Sequence, residues 1–224
     1  MRKKDTTATA SSRRLRRQAA LTGLLVFIAL VIMVFVARAG EPDQAVFQWV
    51  DGWRTAAGTR FMQFITFYGN HAFLIPANLL LAVAFLLRKK FFLAITILAI
   101  ALSSLGVMSL TKNIAQRHRP ADPLISGITN YSFPSGHAFM TVAFFGLLTW
   151  LTLSFIKERW KRNSLVGLFL LLILIIGLSR IYLRVHYTTD VLAGWSLGTA
   201  WLMTGLLVAE RYRPVISTAQ NEAG

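Results

Sequence analysis

The sequence predicts an all-α, polytopic membrane protein: a bundle of six transmembrane helices with both termini on the cytoplasmic side. Three observations predict it. Of 224 residues, 55% are hydrophobic and only 15% charged, far from the balance of a soluble domain. Uncharged runs recur at about 18–37, 72–87, 91–111, 138–156, 163–179 and 191–209, each near the length a helix needs to cross about 30 Å of hydrocarbon. The basic residues gather in alternate connections, as the positive-inside rule requires.

Residues 1–17 are polar, basic and rich in Ser and Thr, and are expected to form a disordered cytoplasmic tail that helps set orientation. The first apolar run follows. A basic stretch leading into it, with Ala37-Arg38-Ala39 at its end, also fits a cleaved signal peptide. The run is longer than the roughly 7–15 residues of a signal core, which favours a retained anchor. The outward segment 38–71 mixes Phe47, Trp49, Trp53, Phe61, Phe64, Phe67 and Tyr68 with Asp43, Asp51, Arg54 and Arg60. That composition suits helices lying at the interface, as an aromatic belt or as a gate if lipid enters sideways.

The second and fifth spans are the shortest, so their edges are the least defined. Between the third and fourth, residues 112–137 form an outward loop rich in Pro, Gly, Ser and Asn, where irregular backbone can surround a site. Residues 180–190 form the next outward segment, and 214–224 a C-terminal tail. Residues 18–213 read as one domain, without internal repeat or low-complexity tract.

A net charge of +15 raises the question of nucleic acid, but its placement answers against it. Arg2, Lys3, Lys4, Arg13, Arg14, Arg16 and Arg17 precede the first span. Arg88, Lys89 and Lys90 separate the second and third, and Lys157, Arg159, Lys161 and Arg162 the fourth and fifth; Arg211 and Arg213 follow the last. Sixteen of 24 basic residues thus fall on one face, assigned to the cytoplasm. All four histidines, His71, His118, His137 and His186, fall on the other. There is no cysteine, which excludes disulfides and thiolate metal sites.

Three clusters on that outward face carry chemistry. Lys112 and Arg119 are seven apart, so a continuous helix would project both from one face, where one phosphate could meet a point charge and a planar fork. Snorkelling to the interface is the plainer reading of that pair alone. Arg117 and His118 beside them read as solvated. Pro134-Ser135-Gly136-His137 leads into an apolar helix, placing the N–H groups of Ser135 and Gly136 where a helix N-terminus favours an anion. The Ser135 hydroxyl could equally cap that helix. His137 is placed to donate a proton. His186 and Asp190 are four apart, so a helical turn lets the carboxylate accept from one imidazole nitrogen and leaves the other for substrate. Arg180 adds a third cation, while Arg184 could pair with Asp190 or lipid phosphate. The outward acids Glu41, Asp43, Asp51, Asp122 and Asp190 are not clustered in the sequence, which favours a metal-independent site.

These residues resemble the type 2 phosphatidic acid phosphatase family, which shares its site with bacterial non-specific acid phosphatases and vanadium haloperoxidases. The resemblance rests on three segments in order: Lys112, Arg119 and Pro120; Pro134, Ser135, Gly136 and His137; Ser179, Arg180, His186 and Asp190. It implies an enzyme in which His186 attacks phosphorus, Asp190 orients its imidazole and His137 protonates the leaving group. Lys112, Arg119, Ser135, Gly136 and Arg180 would hold the phosphoryl oxygens. No metal or cofactor is implied. Substrates implied are membrane lipids: undecaprenyl diphosphate, phosphatidylglycerol phosphate or phosphatidic acid, met at the outer face of a bacterial cell membrane. A lipid-to-lipid phosphotransferase would use the same residues with another acceptor, and an anion-binding transporter is the non-enzymatic alternative. The expected partners are the lipid substrate and the bilayer, with no nucleic acid and no obligate protein partner.

Overall fold

The computed structural model describes residues 2–38 and 40–222, with side chains described for 11–38 and 40–212. It is all-helical among the described residues. The chain runs α1 (Arg2–Val31, closing in a π turn at Ile32–Val36), α2 (Glu41–Asp51), α3 (Ala56–Thr66), α4 (His71–Leu87), α5 (Phe91–Ala115), α6 (Gly136–Phe155), α7 (Arg159–Tyr182) and α8 (Thr188–Glu222). Five stretches are long and apolar enough to cross a bilayer: Ser11–Val36, α5, α6, α7 and Thr188–Tyr212. A sixth candidate is the pair α3–α4, which is long and apolar enough when taken together and is bent by 41° at the 3-10 turn Phe67–Gly69.

Several boundaries differ from those read in the sequence. Residues 11–17, expected in the irregular tail, are helical. Their charge does not break the helix because Arg13 and Arg16 share a face with α8, where both meet Glu210. The backbone is helical through 2–10 and 213–222 as well, and the side chains of 1–10 and 213–224, among them Arg2, Lys3, Lys4 and Arg213, lie outside the described residues. The fifth span is longer than its uncharged run, since α7 begins at Arg159 and carries its basic residues on its first turn.

The interfacial segment forms two amphipathic helices. Glu41, Pro42 and Asp43 open α2 with acid and proline where a helix N-terminus favours both. Thr55 caps α3 by accepting from the Gly58 N–H at 3.0 Å. Phe47 is buried under α2, whereas Trp49, Trp53, Phe61 and Phe64 remain exposed, as residues of an aromatic belt would.

At the centre lies α6, the most buried of the spans. Phe139, Phe144, Phe145 and Ile176 form its main core with Met108 and Leu74. It packs against α7 and α8, while α1 lies along α8 and α4 along α5. The approach of α8 depends on two small residues four apart. A Cβ on Gly194 would stand 2.5 Å from the Ser135 carbonyl oxygen, and one on Gly198 2.9 Å from that of Phe139. Only glycine lets the two backbones come this near. The N-terminal turn of α6 is thereby pressed against the first turns of α8, and both carry predicted site residues.

Candidate active site

Four helix ends converge to build the site: the C-termini of α5 and α7 and the N-termini of α6 and α8. They surround a cavity of roughly 960 Å³. Of the eight residues singled out in the sequence, Lys112, Arg119, Gly136, His137, Arg180 and His186 line it. Asp190 and Ser135 sit behind the wall, both fully buried.

Lys112 and Arg119 do not share a helix. Gln116 ends α5 in the left-handed conformation (φ 47°), its N–H closing on the Lys112 carbonyl at 3.0 Å. The chain then turns back, and Arg119 reaches the cavity from the loop. Its guanidinium is heavily committed: Nε donates to the Asn130 carbonyl at 2.8 Å, Nη2 to the Asn130 side chain and the Tyr131 carbonyl, and Nη1 to the Val185 carbonyl. Nη1 also stands 3.2 Å from Nε2 of His186. Burial lowers the Arg119 pKa from its ordinary value, against an upward pull from Asp190. Lys112 is buried too, its Nζ donating to the carbonyls of Tyr131 and Ser132.

Arg180 comes from the last turn of α7 and is 3% exposed. Its Nη1 donates to Thr66 Oγ1 at 2.8 Å, and its Nε is buried with no hydrogen-bond partner among the described residues. Ser135 caps α6, its Oγ accepting from the Ala138 N–H at 3.5 Å. The Ser135 N–H, expected to face an anion, instead donates to the Asp190 carbonyl at 2.9 Å. Gly136, first residue of α6, lines the cavity, and the N–H of a helix's first residue has no acceptor within its own helix.

His186 lies two residues ahead of α8 and is 2% exposed. Its Nδ1 is 3.4 Å from both Asp190 Oδ2 and Ser132 Oγ. The Ser132 hydroxyl donates to the same carboxylate oxygen, as does the Tyr187 N–H at 3.0 Å. Burial holds the His186 imidazole well below its usual range, and the charges of Arg180, Lys112 and Arg119 push it further down. Both effects favour the neutral ring, and Nε2 is the nitrogen nearer Arg119 at the cavity.

Several contributors escaped the sequence. Arg117, read as solvated, donates to Asp190 Oδ1 at 2.6 Å and to Asp43 Oδ2 at 2.9 Å. Arg184 pairs with Asp51 at 2.6 Å rather than with Asp190. Thr66 and Ser132 are ordinary polar residues in sequence, and their roles follow only from the fold. Gly69 lets the 3-10 turn pack on His137, since a Cβ there would stand 2.9 Å from the ring. Proximity to Lys112 and Arg119 was the one available signal for Arg117. Among the described residues, no group of three or more His, Asp or Glu side chains converges as a metal site would need.

Residues 92–213 match the family model of the PAP2 superfamily, more than half the chain and every motif segment. The chain belongs to the PAP2 superfamily. This PAP2 protein is 24% identical to phosphatidylglycerophosphatase B of Bacillus subtilis over 78% of its own length and 86% of that protein. It is 26% identical to undecaprenyl-diphosphatase of Sulfolobus acidocaldarius over 80% of its length and 86% of that protein. Its fold is that of the crystal structure of the transmembrane PAP2-type phosphatidylglycerolphosphate phosphatase from Bacillus subtilis, with a TM-score of 0.78 at 23% identity, covering 86% of this chain and 96% of that one. Aquifex aeolicus LpxE is a more distant structural likeness, with a TM-score of 0.54 at 25% identity over 73% of this PAP2 chain and 93% of the other.

Proposed function

We propose that this PAP2 protein is a membrane lipid phosphatase that hydrolyses a phosphomonoester or diphosphate of a bilayer lipid through a phosphohistidine, working at the extracytoplasmic face without a metal. One observation carries the reading: His137, His186 and three cations line a single cavity, which His71 also borders, and His186 is backed by a buried carboxylate. That is the equipment of in-line phosphoryl transfer to nitrogen.

In the first step Nε2 of His186 forms a bond to phosphorus as the bond to the lipid oxygen breaks. His137 gives its proton to the departing oxygen. Asp190 offsets the positive charge that grows on the His186 ring. Lys112, Arg119 and Arg180 hold the equatorial oxygens, joined by the Gly136 N–H, with Ser135 fixing the start of α6 behind them. In the second step water attacks phosphorus, the deprotonated His137 takes its proton and the N–P bond breaks. Names of relatives point to phosphatidylglycerol phosphate and undecaprenyl diphosphate as substrates to test first, with phosphatidic acid beside them.

The test is phosphate release by the purified protein from these lipids, with and without EDTA. Free phosphate is expected, unchanged by chelation and reduced by about 10⁴-fold or more in His186→Ala. Phosphate recovered on a second lipid would make the protein a phosphotransferase, and loss of turnover in EDTA would refute the metal-free reading.

A further inference from the structure

Behind the proposed catalytic pair lies a second buried layer of charge. Asp43, from the first turn of α2, is 1% exposed although α3, α4 and most of α5 lie between it and the first motif residue. Its Oδ1 accepts the Thr189 N–H at 3.0 Å, and its Oδ2 accepts both the Thr189 hydroxyl at 2.7 Å and Arg117 Nη2 at 2.9 Å. Arg117 Nη1 reaches Thr189 Oγ1 at 2.7 Å and Asp190 Oδ1 at 2.6 Å. The guanidinium lies over the Tyr187 ring, 4.0 Å from its centroid.

The local chemistry explains why an outside carboxylate is recruited. Thr188 is the first residue of α8, which leaves Tyr187 in the capping position with a side chain that has no acceptor near the helix start. Asp190 reaches back to the Tyr187 N–H, as the acid of a capping box does. The Thr189 N–H needs another acceptor, and Asp43 supplies it from a different helix. One planar guanidinium then joins the two carboxylates, a task for which a fork of fixed N–H groups is suited and an ammonium is not.

We propose that Arg117 and Asp43 are positioning residues: Asp43 fixes the Arg117 guanidinium, and Arg117 holds the Asp190 carboxylate so that Oδ2 faces Nδ1 of His186. Arg117 takes one carboxylate oxygen and thereby settles which oxygen is left for the ring. The Ser132 hydroxyl and Tyr187 N–H complete the cradle around Oδ2. The amphipathic helix α2 thus sets the tautomer of His186 by way of Arg117 and Asp190. This rests on the reading of His186 as nucleophile.

The experiment uses the full chain in detergent micelles, with phosphatidic acid as substrate and inorganic phosphate as competing ligand. For Arg117→Met, kcat is expected to fall by about 30-fold or more, with KM and the inhibition constant for phosphate within about threefold of the parent. Arg117→Lys recovers part of the loss, because an ammonium reaches one carboxylate, and Asp43→Asn lowers kcat by about 5–10-fold. A kcat for Arg117→Met within about threefold of the parent overturns the proposal, as does a loss shared equally by kcat, phosphate binding and melting temperature. A second readout does not depend on turnover. With only four histidines in the chain, ¹⁵N-histidine spectra should show His186 as the Nδ1–H tautomer in the parent and a tautomer mixture in Arg117→Met. An unchanged tautomer in the variant, or a mixture already in the parent, also overturns it. A parent that releases no lipid phosphate would instead count against the proposed function, while the spectra still bear on the relay.

Discussion

His186 is enclosed by Arg180, Lys112 and Arg119, and its ring is far easier to protonate in the unfolded chain than in place. The sign of the pH dependence follows. An imidazole free in the unfolded chain takes up its proton below about pH 6.5, whereas the folded ring stays neutral well below that value. The His186 contribution to stability is therefore level above about pH 6.5 and declines as pH falls further. Thermal melts in detergent should show this decline in the parent and less of it in His186→Gln. The acid limb of kcat/KM set by His186 should also lie below the ordinary histidine range, and a limb at about pH 6.5 or higher would contradict a neutral, cation-flanked nucleophile. Residue identities at the cavity were legible in sequence because charge amid apolar runs is costly and stands out. Arg117 was not, since a cation beside Arg119 in a polar loop looks solvated until the fold brings Asp43 and Asp190 to its two sides.

At the scale of the helix, the site depends on how closely α8 can lie on α6. Gly194→Ala would push a methyl group onto the Ser135 carbonyl and the Ala138 side chain. Overpacking of this kind costs about 1–3 kcal/mol, and it displaces the turn that carries Gly136 and His137. A lower melting temperature with a reduced kcat is expected. Gly106→Ala on α5 is the matched control, because its Cβ would meet nothing within 4 Å, and helix propensity alone predicts a neutral change or a gain of up to about 1 kcal/mol. Equal effects of the two substitutions in melts and turnover would argue against close packing as the reason for Gly194. Six uncharged runs could be read, the second of them matching α4; the joining of α4 to α3 across a 41° bend could not, because α3 carries Arg60 and amphipathic spacing rather than an apolar run. The end of α5 was expected at 111 and comes at Ala115; the left-handed turn at Gln116 was not legible, for neither glycine nor proline stands there.

Across the whole molecule, charge and chemistry are segregated. The connections Arg88–Lys90 and Lys157–Arg162 lie at the ends of α5 and α6 remote from the cavity, which is built from their other ends. If the positive-inside rule orients the bundle, the cavity faces outward. An impermeant thiol reagent should label Ser126→Cys in the cavity loop of intact cells and leave Lys161→Cys unlabelled until the cells are opened; the reverse pattern would invert the topology. A related consequence follows from Asp43. The stretch shared with the PAP2 family model begins at residue 92, yet the carboxylate that caps α8 and grips Arg117 stands 49 residues earlier. The motif-bearing half is thus not a transplantable cassette: a chimaera joined near residue 92 would inherit every signature residue together with a stranger's α2, and its last helix would start without the acid that completes it.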